Sequence, residues 1–151
     1  MKNKGQISIE FMLVLIILLI YVQTMILPTI NVSLRSVEDV ARVGQTSFAA
    51  KKLVNAVTNI QLISGDAKQQ ISLYVPNCGA TACTVKCNSN TITFFAPLSP
   101  DLNAIAGCPN NQCNGTITAP GSVACNFTLT GPASGLVSIE KKNGVTNATL
   151  S

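Results

Sequence analysis

KGQISIEFMLVLIILLIYVQTMIL, residues 4–27, decides how the rest of the chain is read. Across residues 11–27 only Tyr21, Gln23 and Thr24 interrupt an aliphatic run whose length suits a membrane span. Residues 7–27 hold a single charge, Glu10. Ahead of the run stands a short basic segment with Lys2 and Lys4. A secretory signal carries its small-residue cleavage site after the apolar run, whereas here the small residue, Gly5, comes before it. A cut at Gly5 leaves the apolar segment in the mature chain. The two lysines hold that cut site on the cytoplasmic side.

Composition fits a chain with one apolar and one polar half. Of 151 residues, 47% are hydrophobic and only 11% charged, well below the quarter usual for soluble domains. The net charge is +4, and Lys2 and Lys4 supply two of it, so the remainder is too weakly basic to predict a nucleic-acid partner. The chain has no histidine, which excludes Ser-His-Asp, Cys-His and His-zinc chemistry within it. Asp66, Asp101 and Glu140 are the acidic residues of the C-terminal half, but no two form a recognisable catalytic pair. No enzymatic role and no cofactor are expected.

A carboxylate inside a spanning helix costs on the order of 2–3 kcal/mol on insertion scales, so Glu10 calls for a partner or a wet position. A cut after Gly5 creates an α-amino group on Gln6, four residues before Glu10, and a neighbouring subunit's amine then neutralises the carboxylate. Alternatively, Glu10 sits at headgroup level and needs none. Cyclisation of an N-terminal Gln removes the amine, leaving Glu10 to Ser8 or another polar group.

The motif Lys4-Gly5-Gln6-Ile7-Ser8-Ile9-Glu10, followed by an aliphatic run, resembles the class III signal peptide of archaeal type IV pilins. The likeness covers roughly residues 1–25. The family pattern Q-x-S-x-E-x-x-x-L is met at Gln6, Ser8 and Glu10, while its final Leu is Val14, flanked by Leu13 and Leu15. The resemblance implies a precursor in the cytoplasmic membrane, cut between Gly5 and Gln6 by a prepilin peptidase. It implies export through an assembly platform and its ATPase, then assembly with further copies of the chain into an extracellular adhesive filament. Gln6, Ser8, Glu10 and Phe11 are the expected assembly residues, with Ile7 and Leu15 buried in the helix bundle. A minor pilin or adhesin with the same anchor is one alternative, and an uncut membrane-anchored envelope protein is another.

After Pro28 a second pattern begins. Ile30, Leu34, Val37, Ala41, Gly44 and Phe48, then Ala50, Leu53, Val57 and Ile60, recur at steps of three and four and read as one helical stripe. Ser64, Gly65 and Asp66 supply a stop. The long helix is therefore expected over residues 6–64, with 6–27 hydrophobic and 28–64 amphipathic, after a leader at residues 1–5. At about 1.5 Å per residue it extends roughly 90 Å, beyond any bilayer, so its second half enters water and needs cover. That cover is the chain's own C-terminal domain, neighbouring subunits, or a simple coiled-coil partner. Pro28 either kinks the helix or marks the end of its membrane part, and Gly44 is a second soft point.

Residues 66–151 read as a β-rich external domain. Strands are expected at 70–75, 83–87, 91–95, 116–118, 123–130, 136–141 and 145–150, with Pro97, Pro100, Pro109, Pro120 and Pro132 between them. Asn143-Gly144 supplies the positive φ angles of a tight hairpin turn between the last two. A core this short of aromatics is marginal alone. Cys78, Cys83, Cys87, Cys108, Cys113 and Cys125, all in one segment of an exported chain, point to three disulfides with 15 possible connectivities. The spacings of Cys108 with Cys113 and of Cys83 with Cys87 both allow local loops. No CxxC pair supports a zinc or iron–sulfur site, so no metal is expected. Docking on Phe48, Leu53 and Val57 of the helix adds to the core. The fold class is α+β: a long N-terminal helix, pilin-like, packed against a small disulfide-stabilised antiparallel β domain.

Four N-glycosylation sequons, at Asn31, Asn114, Asn126 and Asn147, suggest a glycosylated surface, with Asn31 so near the membrane exit that a filament core hides it.

Overall fold

The computed structural model describes residues 4–79, 81–99 and 108–151, with side chains described from Ile9 onward except that of Pro109. Helix α1, Lys4–Tyr21, passes through a π-helical turn, Val22–Ile26, into α2, Leu27–Leu62. Seven strands follow: β1 Ala67–Val75, β2 Thr84–Asn88, β3 Thr91–Pro97, β4 Gln112–Thr118, β5 Val123–Thr130, β6 Ala133–Lys142 and β7 Val145–Leu150. Residues Met1–Val37 and Glu38–Ser151 form two compact units, and α2 contributes to both.

In the first unit the helix is continuous across Pro28, which has no N–H to give to the carbonyl four residues back. The backbone answers with wider turns just ahead of the proline, where the N–H of Leu27 donates to the carbonyl of Val22, five residues back. The expected perturbation at Pro28 is thus met by a π turn instead of a helix end.

In the second unit the seven strands form one sheet in the order β1-β6-β7-β5-β2-β3-β4. All pairings are antiparallel except β5 with β7, which run parallel over only Val123–Cys125 and Thr146–Ala148. Alternation decides the faces. Ile71, Leu73, Val75, Val85, Cys87, Ile92, Val123, Cys125, Val137, Ile139 and Ala148 are buried, while the residues between them point outward. Ala49, Ala50, Leu53, Ala56, Val57 and Ile60 of α2 join the same core. The fold is therefore α+β, with the C-terminal part of a long helix packed on a mostly antiparallel, disulfide-linked sheet. The β6–β7 turn has Asn143 at φ 50° and Gly144 at φ 80°, the left-handed pair that a two-residue hairpin demands.

Three expectations need correction. The helix ends at Leu62, not Ser64, because Gly65 already has φ 102° and Lys141 Nζ binds the last carbonyls, Gln61 O at 3.0 Å and Ile63 O at 2.6 Å. Pro97 is the last residue of β3, opposite Gln112, not part of a connection. The helical stripe divides in two. Its second run, Ala50, Leu53, Val57 and Ile60, is buried, whereas Ile30, Leu34, Val37 and Phe48 are exposed, Phe48 at 67%. The buried line in the second unit instead follows Asp39, Thr46, Leu53 and Ile60, seven residues apart, so two polar side chains occupy positions an apolar pattern overlooks.

The disulfides are Cys78–Cys83, Cys87–Cys125 and Cys108–Cys113. The local Cys108–Cys113 loop is present. A Cys83–Cys87 loop is not, because the four steps between them follow strand β2, which at about 3.3 Å per residue separates the two by roughly 13 Å. Cys83 turns back to Cys78, and Cys87 crosses to the neighbouring strand β5.

Candidate functional site: the exposed apolar helix and its flanking fasteners

The most unusual surface in the molecule is that of α1 and the start of α2. Every described side chain in residues 9–34 is exposed or half-buried, and this stretch holds most of the exposed large apolar residues among those described. Phe11 is 66% exposed. The helix contains a segment long and apolar enough to cross a membrane. Leaving such side chains in water costs about 1.5–3 kcal/mol apiece, so this surface requires lipid or protein around it.

The few polar groups in this stretch are arranged for such an environment. The Thr24 hydroxyl donates to Ile20 O at 2.8 Å, Thr29 to Met25 O at 2.7 Å, and Ser33 to Thr29 O at 2.9 Å. Each returns its proton to the preceding turn of its own helix, so none demands an outside partner. Glu10 differs: it is an exposed carboxylate and the one charge in residues 7–27. Gly5, Gln6 and Ser8 lie in α1, where their side chains are outside the described residues, as are Met1, Lys2 and Asn3 altogether.

Where α2 enters the second unit, Asp39 is fully buried. One carboxylate oxygen accepts from the backbone N–H of Ser99 at 2.7 Å, and the other meets Arg42 Nη1 at 3.1 Å. Arg42 also reaches Glu38 at 3.4 Å. This cluster ties the segment after β3 to the helix. Further along, Lys52 Nζ donates to Ser72 O of edge strand β1 at 2.8 Å. Asp39 falls between the apolar positions of the helical stripe, and an Asp beside Glu38 and near Arg42 carries no sequence signal of burial. Its spacing of seven from Thr46 and fourteen from Leu53 is the pattern that finds it.

The other candidate residues have structural places. Asp66 Oδ1 accepts from Asn143 N at 3.2 Å at the base of the β6–β7 turn. Glu140 pairs with Lys142 at 2.9 Å, and this hydrogen-bonded ammonium lowers the Glu140 pKa while the carboxylate raises that of Lys142. Asp101 is outside the described residues. No group of three metal-binding side chains occurs among the described residues. The three sequon asparagines of the β domain, Asn114, Asn126 and Asn147, are exposed on β4, β5 and β7, and Asn31 is exposed on α2.

Comparison with protein-family models, with curated proteins and with solved structures finds no match to this chain.

Proposed function

We propose that this chain is the structural subunit of a type IV-like surface filament, a pilin made as a membrane precursor and processed between Gly5 and Gln6. The observation that carries the reading is the pairing of a Gly5-Gln6-x-Ser8-x-Glu10 motif with a continuous helix whose apolar side chains are left uncovered. In the membrane, lipid covers that helix. After processing, neighbouring helices take the place of lipid, and because bare extraction into water is prohibitive, a subunit leaves the bilayer only as the equivalent protein contacts form. Glu10 gives this exchange a register. Its desolvation is relieved only where a neighbour's Gln6 amine, or another polar group, arrives at the same depth. The β domain, held by three disulfides, forms the outer wall of the filament in the oxidising exterior.

Two variants separate the steps. Replacing Gly5 by a bulky residue blocks the peptidase, so the full-length precursor accumulates in membranes and filaments disappear. Glu10→Ala leaves processing intact and lowers the yield of sheared filaments. An unchanged filament yield from Glu10→Ala rules out the charge-register role, and normal filaments from the uncut Gly5 variant rule out the processing step.

A further inference from the structure

The four sequons differ in what the backbone does with them. Asn114-Gly-Thr116, Asn126-Phe-Thr128 and Asn147-Ala-Thr149 each lie within a strand, where residues i and i+2 point to the same side. In all three the Asn and its Thr are exposed while their flanking strand positions contribute Cys113, Cys125, Thr146 and Ala148 to the buried side. All three acceptors therefore stand on the outward face of the sheet, opposite the face that shares a core with α2. Asn31-Val-Ser33 is helical, and residues two apart on a helix are about 200° apart around its axis. The Ser33 hydroxyl is also committed to Thr29 O, and its surroundings are the apolar side chains that need cover.

A second observation concerns two of the three. The parallel pairing of β5 with β7 covers only three residue pairs, and beside it lies an open cleft of about 590 Å³ whose outward side carries Asn126, Asn147 and Thr149 and whose floor is formed by inward positions such as Phe127, Ala148 and Leu150. Beside the third, Phe95 lies directly opposite Asn114 on the same face. Amide and hydroxyl groups at the rim of an opening with an apolar floor, or beside an aromatic ring on the same face, suit the first sugar of an attached chain, which has both polar edges and an apolar face. The Thr149 hydroxyl stands 3.5 Å from Ser138 O, at the limit of hydrogen bonding, so it is not tied down as Ser33 is.

We propose that the outward face of the sheet is a glycan-bearing face, modified at Asn114, Asn126 and Asn147 and not at Asn31, with the sugars of Asn126 and Asn147 seated over the β5–β7 cleft. In each attachment the Asn amide nitrogen forms a bond to the anomeric carbon of a phosphate-activated oligosaccharide donor. The carbon–oxygen bond to phosphate breaks, the phosphate leaves with the electron pair, and the amide gives up one proton. The proposal rests on export of the β domain but not on filament assembly.

The test is peptide mapping by mass spectrometry of the full chain purified from its own cells, with membrane and sheared surface fractions analysed separately. Sugar masses are expected on the peptides carrying Asn114, Asn126 and Asn147 and absent from that carrying Asn31. Thr116→Ala, Thr128→Ala and Thr149→Ala each remove one glycan mass and leave the other two, whereas the corresponding Ser variants keep all three. Sugar on Asn31, or any one of the other three found bare, overturns the proposal. A glycosylated chain confined to membranes sinks the filament reading alone, and bare filaments sink this one alone.

Discussion

Removing the Cys87–Cys125 bridge should destabilise the β domain about twice as much as removing Cys78–Cys83, although both are single disulfides among buried sulfurs. The first closes a span of 38 residues and joins β2 to β5; the second spans 5. In the chain-entropy account, a cross-link restricts the unfolded chain by an amount that grows with the logarithm of the loop, which gives about 4 kcal/mol for the long span and about 2 kcal/mol for the short one at 25 °C. The burial terms nearly cancel in the comparison, because each pair has one sulfur-bearing residue at 0% exposure and another at 7% or 8%. The perturbation is a double Cys→Ala replacement of each pair in the full chain held in detergent micelles. The assay is guanidinium unfolding followed by the circular dichroism of the sheet. The Cys87/Cys125 variant should unfold at a denaturant concentration lower than that of the Cys78/Cys83 variant by about 0.5 M, taking a slope typical of a small domain. Equal midpoints, or a larger loss from the short loop, refute the reasoning that the long bridge is the main staple of this sheet.

The same unfolding assay reads out other parts of the account. Asp39→Ala leaves the Ser99 N–H and Arg42 without their buried acceptor and should cost about 2–4 kcal/mol, whereas Asp39→Asn keeps an acceptor and costs less; equal losses refute the view that a neutral acceptor is enough and assign the effect to the charge. Gly131→Ala drives a new Cβ into the backbone carbonyl of Pro76, which has little room to move, and should cost about 1–3 kcal/mol, so a neutral result contradicts the close approach. Glu140 should titrate below its ordinary value of 4.5 because of Lys142, and Lys142→Ala should return it upward. The sign follows: this lowered pKa favours the folded state above the unfolded carboxyl's pKa, and the contribution is lost as pH falls through the folded value. A Glu140 titration unaffected by Lys142→Ala removes the ion pair from the account.

The apolar run, the seven strands and the β6–β7 turn were legible in the sequence because each rests on a local rule: aliphatic length, alternation, and Asn-Gly at positive φ. The helix face was legible only where its residues are apolar. From Leu53 to Ile60 the periodic pattern marks the buried side, but upstream the buried line passes through Asp39 and Thr46, and the apolar residues Val37 and Phe48 face outward. A surface left open for lipid or neighbouring subunits carries the same signature as a surface packed on its own domain. Hydrophobic periodicity therefore identifies a helix face that needs cover without saying whose atoms cover it. Disulfide pairing was closed to sequence spacing for a related reason: whether five residues form a loop or a strand decides if their ends can meet. Cys78 to Cys83 loops and Cys83 to Cys87 extends. Asn90 shows the same limit in the turn between β2 and β3, since its side chain accepts from Val123 N at 2.8 Å and donates to Ala119 O and Gly121 O, bracing the β4–β5 connection across about thirty residues of chain.

The central claim is that the chain is cut after Gly5 and carried to the cell surface as an oxidised, assembled subunit. The intact mass and N-terminal residue of the protein in sheared cell-surface material, before and after reduction, test it most directly. The account predicts a chain beginning at Gln6 or its cyclised form, about six mass units heavier after reduction as three disulfides take up hydrogen. A chain beginning at Met1 and found only in membranes contradicts it.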